Sequence, residues 1–134
     1  MVRRWARIGH LVAAWAFVAA VIVQVFLAGM AVFGEGFRTH VAFGYSAIWV
    51  VALLIPPLAW AGRLPRADLW FSVLLLGLYV PQCLLPPIAR SGGPAWVSAF
   101  HPVNAMLLFA LGTIVAWRAW QNLRRNAGPR RSEA

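Results

Sequence analysis

Four long apolar runs, separated by short polar segments, are the main feature of the sequence. They cover residues 8–32, 39–61, 69–88 and 100–120. A helix needs roughly 20 apolar residues to cross about 30 Å of hydrocarbon, and each run reaches that length. The signal is sustained apolarity rather than a helical or strand period. The pattern therefore predicts four transmembrane helices.

Short polar segments separate the runs, for example at residues 34–38 and 62–68. Connectors of this length make neighbouring helices antiparallel. We predict an all-α, polytopic membrane protein: an up-down-up-down four-helix transmembrane bundle over residues 1–121, followed by a basic cytoplasmic tail over residues 122–134. A cleaved signal peptide is the alternative for the first run, but that run exceeds the about 7 to 15 apolar residues of such a peptide. Pro86 and Pro87 predict the end of the third helix.

The composition agrees with a membrane protein, since 62% of the 134 residues are hydrophobic and only 11% are charged. Arg38 and Arg90 stand alone in the first and third connectors, whereas every other arginine lies near a terminus or in the middle connector. The positive-inside rule then places both termini on the cytoplasmic side of the inner (plasma) membrane. The net charge of +9 is expected to serve contacts with anionic lipid of the bilayer, and no nucleic acid partner is expected.

Several polar side chains fall at matched depths near the outer ends of the runs. His40 and His101 open the second and fourth runs, and Gln24 and Gln82 lie about two turns from the outer ends of the other two. Asn104 follows one turn below His101 on the same helix face. These positions predict that polarity is concentrated in the outer half of the bundle. His10 lies near the opposite end, where an interfacial, snorkelling side chain is expected.

Two imidazoles at one depth on two helices are suited to hold haem iron, because the porphyrin supplies four nitrogens and the protein only the axial pair. Zinc normally takes three or four protein donors, and Cys83 is the only thiol. No Cys-x-x-Cys-His motif is present, which favours non-covalent haem b. We expect His40 and His101 as metal ligands, with Gln24, Gln82 and Asn104 as their hydrogen-bond partners.

Two further features fit a haem site. Gly44 lies one turn after His40, where the missing side chain leaves room for the edge of a macrocycle. Arg38 and Arg90 are suited to pair with haem propionates. Each residue also has a simpler explanation: glycine allows close helix packing, arginines are solvated, and amides join transmembrane helices.

The segment from His40 to Tyr45 (His-Val-Ala-Phe-Gly-Tyr), with Gln82 and the later Ala99-Phe100-His101, resembles one four-helix half of haem A synthase. The layout also resembles small uncharacterised four-helix membrane proteins. The first resemblance implies histidine ligands at the outer ends of the second and fourth helices, which are His40 and His101 here. In that family a glutamate stands three residues before the helix-two histidine, whereas Glu35 is five residues before His40. With one bundle rather than two, the chain is not expected to be an enzyme on its own.

The sequence thus favours a membrane b-type haem protein that acts in electron transfer or haem handling with a membrane redox partner. The alternative is a cofactor-free accessory subunit of a larger respiratory or photosynthetic complex. Quinone binding around Trp96, His101 and Asn104 stays open. A transporter or channel has less support, because no acidic residue lies inside any run.

Overall fold

The computed structural model describes the backbone of residues 1–127 and the side chains of residues 1–94 and 96–125. The described chain is helical apart from its connectors, with no strand among residues 1–127. The first helix runs as α-helix over Val2–Met30 and ends in a π-helical turn over Ala31–Glu35. The second comprises Arg38–Phe43, a π-helical turn at Gly44–Ile48, and Trp49–Ala61. The third is Arg66–Arg90 and the fourth is Ala95–Ala127.

The prediction of an all-α chain with four helices long and apolar enough to cross a membrane is confirmed. Each predicted run lies inside one observed helix, and the helices extend further at most of their ends. The third helix does not stop at Pro86 and Pro87 but continues to Arg90. Part of the predicted tail, residues 122–127, also continues the fourth helix. The rest of that tail lies outside the described residues.

Contacts between helices show that consecutive helices run antiparallel. Arg7 of the first helix reaches Gly62, while Gln24 of the same helix reaches His40. Hydrogen bonds show that the second and third helices are also antiparallel to each other, and so are the third and fourth. The first and fourth helices also pack together, which closes the bundle. We call the end with connectors 36–37 and 91–94 the histidine end, and the end with connector 62–65 the arginine end.

The core receives at least one large, almost fully buried side chain from each helix. These are Phe17, Ile55, Leu75 and Leu108. Small residues lie between them, including Ala14, Ala52 and Ala116, and they let the backbones approach closely. Outward-facing positions of all four helices are mostly large and apolar, for example Phe26, Leu54 and Leu107. The middle of the bundle is therefore apolar both inside and outside, which is compatible with helices that cross a membrane.

Candidate functional site

The two histidines face each other near the histidine end of the bundle. His40 lies in the first turn of the second helix, and His101 lies in the second turn of the fourth. Their ring centroids are 6.1 Å apart, and their planes are inclined by 68°. Both residues are partly buried. The structure thus brings together the pair that the sequence placed at matched depth, while their role in binding a cofactor stays a prediction.

Gln24 of the first helix holds His40 at three points. The Nδ1 nitrogen of His40 lies 3.1 Å from the backbone oxygen of Gln24, and its Nε2 nitrogen lies 3.3 Å from the side-chain amide nitrogen of Gln24. The same amide nitrogen donates to the backbone oxygen of His40 at 2.9 Å. The first two helices are therefore joined through this one glutamine and one histidine.

Gln82 of the third helix holds His101 in the same way. The Nδ1 nitrogen of His101 lies 3.0 Å from the backbone oxygen of Gln82, and its Nε2 nitrogen lies 3.3 Å from the side-chain nitrogen of Gln82. Asn104 then fixes this glutamine, because its amide nitrogen donates to Oε1 of Gln82 at 2.8 Å and to the backbone oxygen of Leu78 at 2.9 Å. Each pair of helices thus contributes one glutamine–histidine unit.

These contacts determine the tautomer of both imidazoles. A backbone carbonyl oxygen can only accept a hydrogen bond, so Nδ1 of His40 and of His101 carries the hydrogen. In the neutral ring Nε2 then holds a lone pair. Anchoring one ring nitrogen to a carbonyl so that the other is presented as a lone pair is the usual arrangement of a metal-binding histidine. In this structure the two lone pairs accept hydrogen bonds from the glutamine amides.

The prolines of the third helix explain why the Gln82 carbonyl is available. In a regular helix this oxygen would accept the N–H of residue 86, but residue 86 is a proline and has none. His101 takes the vacant position. One residue later the situation repeats: Pro87 leaves the carbonyl of Cys83 free, and the Tyr45 hydroxyl donates to it at 2.6 Å.

The proline pair therefore provides anchoring points rather than the end of the helix, which corrects the sequence prediction. The side-chain hydrogen bonds to the two freed carbonyls compensate for the missing helical ones. The relevant signal was present in the sequence, because a proline four residues after Gln82 marks its carbonyl as free. The partner of that free carbonyl could be identified only from the structure, which places His101 of the fourth helix beside it.

A π-helical turn begins at Gly44, one helical turn after His40, and such turns are frequent at functional sites. A Cβ atom at Gly44 would lie only 2.8 Å from the amide nitrogen of Gln24. The space beside Gly44 thus holds the Gln24 side chain in this structure. The Gly44 carbonyl accepts a 2.6 Å hydrogen bond from the Tyr79 hydroxyl of the third helix. Oε1 of Gln24 is buried and has no hydrogen-bond partner among the described residues.

The donor set at this site suits a group that already carries most of its metal's ligands. Among the described residues no three His, Cys, Asp or Glu side chains form a cluster that could hold a bare metal ion. Two imidazoles would supply the remaining ligands of such a group. The 6.1 Å between the ring centroids shows that both rings reach the same place in the bundle. Arg38 and Arg90 are exposed at the same end of the bundle.

The arginine end contains a second polar cluster, which the sequence analysis did not predict. Asp68 is 4% exposed and accepts hydrogen bonds from Arg118 and Asn122. His10 is 1% exposed, with Nε2 lying 3.0 Å from the Ser72 hydroxyl. The expectation of a snorkelling His10 was therefore wrong, since its ring lies inside the bundle. Buried polarity is found at both ends and not only at the histidine end.

Comparison with known proteins gives one partial match. The model of a family of unknown function (DUF6220) matches residues 24–89. The matched range begins at Gln24 and includes His40, Gly44 and Gln82, and it ends before His101. No curated protein and no solved structure matches the chain. The similarity thus covers three of the four residues in the two glutamine–histidine units.

Proposed function

We propose that the chain is a multi-pass membrane protein with both termini on the cytoplasmic side. Four helices of sufficient length and apolarity, with large apolar side chains on their outer faces, support insertion. The arginines support the orientation, because Arg38 and Arg90 are the only ones among the described residues at the histidine end. The histidine end then faces away from the cytoplasm.

Within this bundle we propose a b-type haem held by His40 and His101, with a role in electron transfer or haem handling. The observation that carries the proposal is the 6.1 Å separation of two imidazoles whose Nδ1 atoms are both anchored to glutamine carbonyls. Such anchoring leaves Nε2 as the ligand atom in each ring. The partial resemblance to one half of haem A synthase points to the same pair of residues.

Each residue of the site has a distinct part in this proposal. His40 and His101 would hold the haem iron, and the backbone oxygens of Gln24 and Gln82 would keep the rings oriented. When the iron binds, the side-chain amides of both glutamines would give up their hydrogen bonds to the Nε2 atoms. Asn104 would keep its hydrogen bond to the Gln82 side chain after that movement. Arg38 and Arg90 are suited to pair with propionates at the exposed rim. A bound haem would supply one-electron redox chemistry, and two histidine ligands would favour electron transfer over oxygen chemistry.

The test is an absorption spectrum of protein purified in detergent from cells supplied with haem precursor. We expect a bound b-type spectrum, with loss of the six-coordinate signature in His40→Ala and in His101→Ala. His10→Gln is the matched control, because it alters the third histidine at the opposite end and is expected to keep the spectrum. A colourless wild-type protein that also fails to take up added haemin would refute the haem proposal.

One observation favours a second candidate, a cofactor-free accessory subunit of a larger membrane complex. Both nitrogens of each site histidine already have hydrogen-bond partners within the chain. The glutamine–histidine units would then act as polar contacts that fix the helix pairs. Purification in mild detergent distinguishes the two: stoichiometric partner subunits without pigment support this candidate. Haem in the isolated chain supports the first.

A further inference from the structure

A hollow of about 330 Å³ opens at the arginine end, away from both histidines. It is lined by Arg7, Arg63, Leu64, Pro65 and Asn122. These residues come from the first helix, the connector between the second and third helices, and the fourth helix. The hollow thus lies where three parts of the bundle meet, at the level expected for the cytoplasmic membrane interface.

Arg63 occupies a backbone position that normally takes glycine. The second helix ends with the N–H of Leu64 donating to Ala59 and that of Arg63 donating to Trp60, which is the Schellman pattern. Arg63 has a φ of 48°, a left-handed conformation that is unfavourable for a residue with a Cβ atom. An arginine here contributes nothing to ending the helix that glycine would not do better. Arg63 lines the hollow, and its charged side chain is the part that glycine lacks.

Arg7 is held in place by the backbone. Its Nε donates to the carbonyl of Gly62 at 2.8 Å, and a Cβ atom at Gly62 would lie 3.1 Å from Cγ of Arg7. This bond uses one of the five N–H donors of the guanidinium group. Two arginines thus line the same hollow: Arg7, which the Gly62 carbonyl holds in place, and Arg63, which lies in the connector.

Among the described residues, no acidic side chain neutralises the positive charge of the hollow. Asp68 is the only acidic residue at this end among the described side chains, and it is buried against Arg118 and Asn122. Among the described residues Arg7 and Arg63 therefore have no acidic partner, and their charges favour an anionic ligand. Phosphate matches this chemistry, because guanidinium groups bind its oxygens through charge-assisted and often bidentate hydrogen bonds.

We propose that this hollow is a binding site for a phosphate group, carried by an anionic lipid headgroup or by a soluble phosphate. Arg7 and Arg63 supply the charge, and Leu64 and Pro65 supply an apolar wall. The site is separate from the histidine pair and does not require bound haem. A phosphate group would then bind at a defined position at this end, in contrast to a general attraction between the arginines and an anionic membrane surface.

The test measures the thermal midpoint of the detergent-purified chain by tryptophan fluorescence in two arms. One arm titrates inorganic phosphate against chloride at constant ionic strength. The other titrates dioctanoyl phosphatidylglycerol against dioctanoyl phosphatidylcholine. We expect a saturable rise in midpoint, with an apparent affinity about tenfold weaker in Arg63→Gln. Arg125→Gln removes the same charge from the same end but lies outside the hollow, and its affinity should stay within about twofold of wild type.

The outcomes separate the sources of the phosphate. A rise only with phosphatidylglycerol identifies a lipid headgroup, a rise only with inorganic phosphate identifies a soluble ligand, and a rise in both identifies the phosphate group itself. Arg63→Gly provides a second variant that suits the left-handed backbone and should fold at least as well as wild type. No rise in either arm, or equal weakening in the Arg63 and Arg125 variants, overturns the proposal.

Discussion

His101 donates its Nδ1 hydrogen to the backbone oxygen of Gln82, the oxygen that the proline at position 86 leaves without a helical partner. The missing hydrogen bond in the third helix thus leaves an acceptor for a side chain of the fourth helix. The hydrogen bond sets the tautomer of the ring, and this tautomer leaves the lone pair on Nε2, the nitrogen that lies beside the Gln82 side-chain amide. The orientation of the His101 ring therefore depends on a backbone carbonyl as well as on the neighbouring side chains.

Replacing Pro86 with alanine should loosen this anchor. The new N–H competes for the Gln82 carbonyl, so part of the population should lose the Nδ1–H tautomer at His101. Helix stability should be kept or raised, because alanine is favourable inside a helix. Nitrogen NMR shifts of the labelled imidazole report the tautomer directly. Pro57→Ala, in the second helix and far from both histidines, serves as control; an unchanged His101 tautomer in Pro86→Ala would contradict the anchoring role.

Gly44→Ala should displace the Gln24 side chain. The added Cβ would lie 2.8 Å from the amide nitrogen of Gln24, so the amide must move away from His40. We expect a loss of about 1 kcal/mol in unfolding free energy, and a much smaller effect of the same change when Gln24 is already alanine. Gly77→Ala is the control, since a Cβ there meets nothing within 4 Å. A double-mutant cycle in detergent measures the coupling, and additive effects would rule the clash out.

Asp68→Asn should destabilise the arginine end. The carboxylate is buried while Arg118 has a side-chain exposure of 38%, so the arginine would lose its counter-charge in a partly buried position. Breaking such a pair is expected to cost about 2 to 4 kcal/mol. Glu35→Gln removes an exposed acid at the other end and should change stability by less than about 0.5 kcal/mol. Reversible unfolding in mixed micelles compares the two variants, and equal stabilities would argue against a structural role for the pair.

Phe17→Ala should leave a cavity at the centre of the bundle. Phe17 is fully buried and packs its ring edge-on against Tyr79, with centroids 5.9 Å apart. In a detergent micelle the water-transfer contribution is small, so the loss comes mainly from missing packing contacts and should be about 2 to 4 kcal/mol. Phe26→Ala on the outer face of the same helix should cost less than about 1 kcal/mol. Similar thermal shifts for the two variants would contradict this packing assignment.

Part of the site could be predicted from spacing alone. The rise per residue placed His40 and His101 at one depth, and the same count placed Gln24 and Gln82 within their reach. The sequence could not show that each imidazole uses both nitrogens on a single glutamine. That pairing depends on the rotation of each helix about its axis, which is set by the core side chains and not by the length of a run.

The burial of His10 and Asp68 illustrates the same limit. Both lie near helix ends, where a polar residue usually reaches the interface. In the bundle their side chains point inward, because Ser72 and Arg118 on neighbouring helices offer partners there. Local sequence contains no information on which residue of another helix will stand opposite.

The four helices, their order and the ends at which charge accumulates could be predicted from the sequence, because apolar length and arginine position act locally along the chain. Which polar groups meet depends on how the helices pack: the two glutamine–histidine units, the carbonyls freed by Pro86 and Pro87, and the hollow between Arg7 and Arg63. Hydrophobicity is a property of each segment. A hydrogen bond between helices requires two groups whose distance depends on how the whole bundle packs.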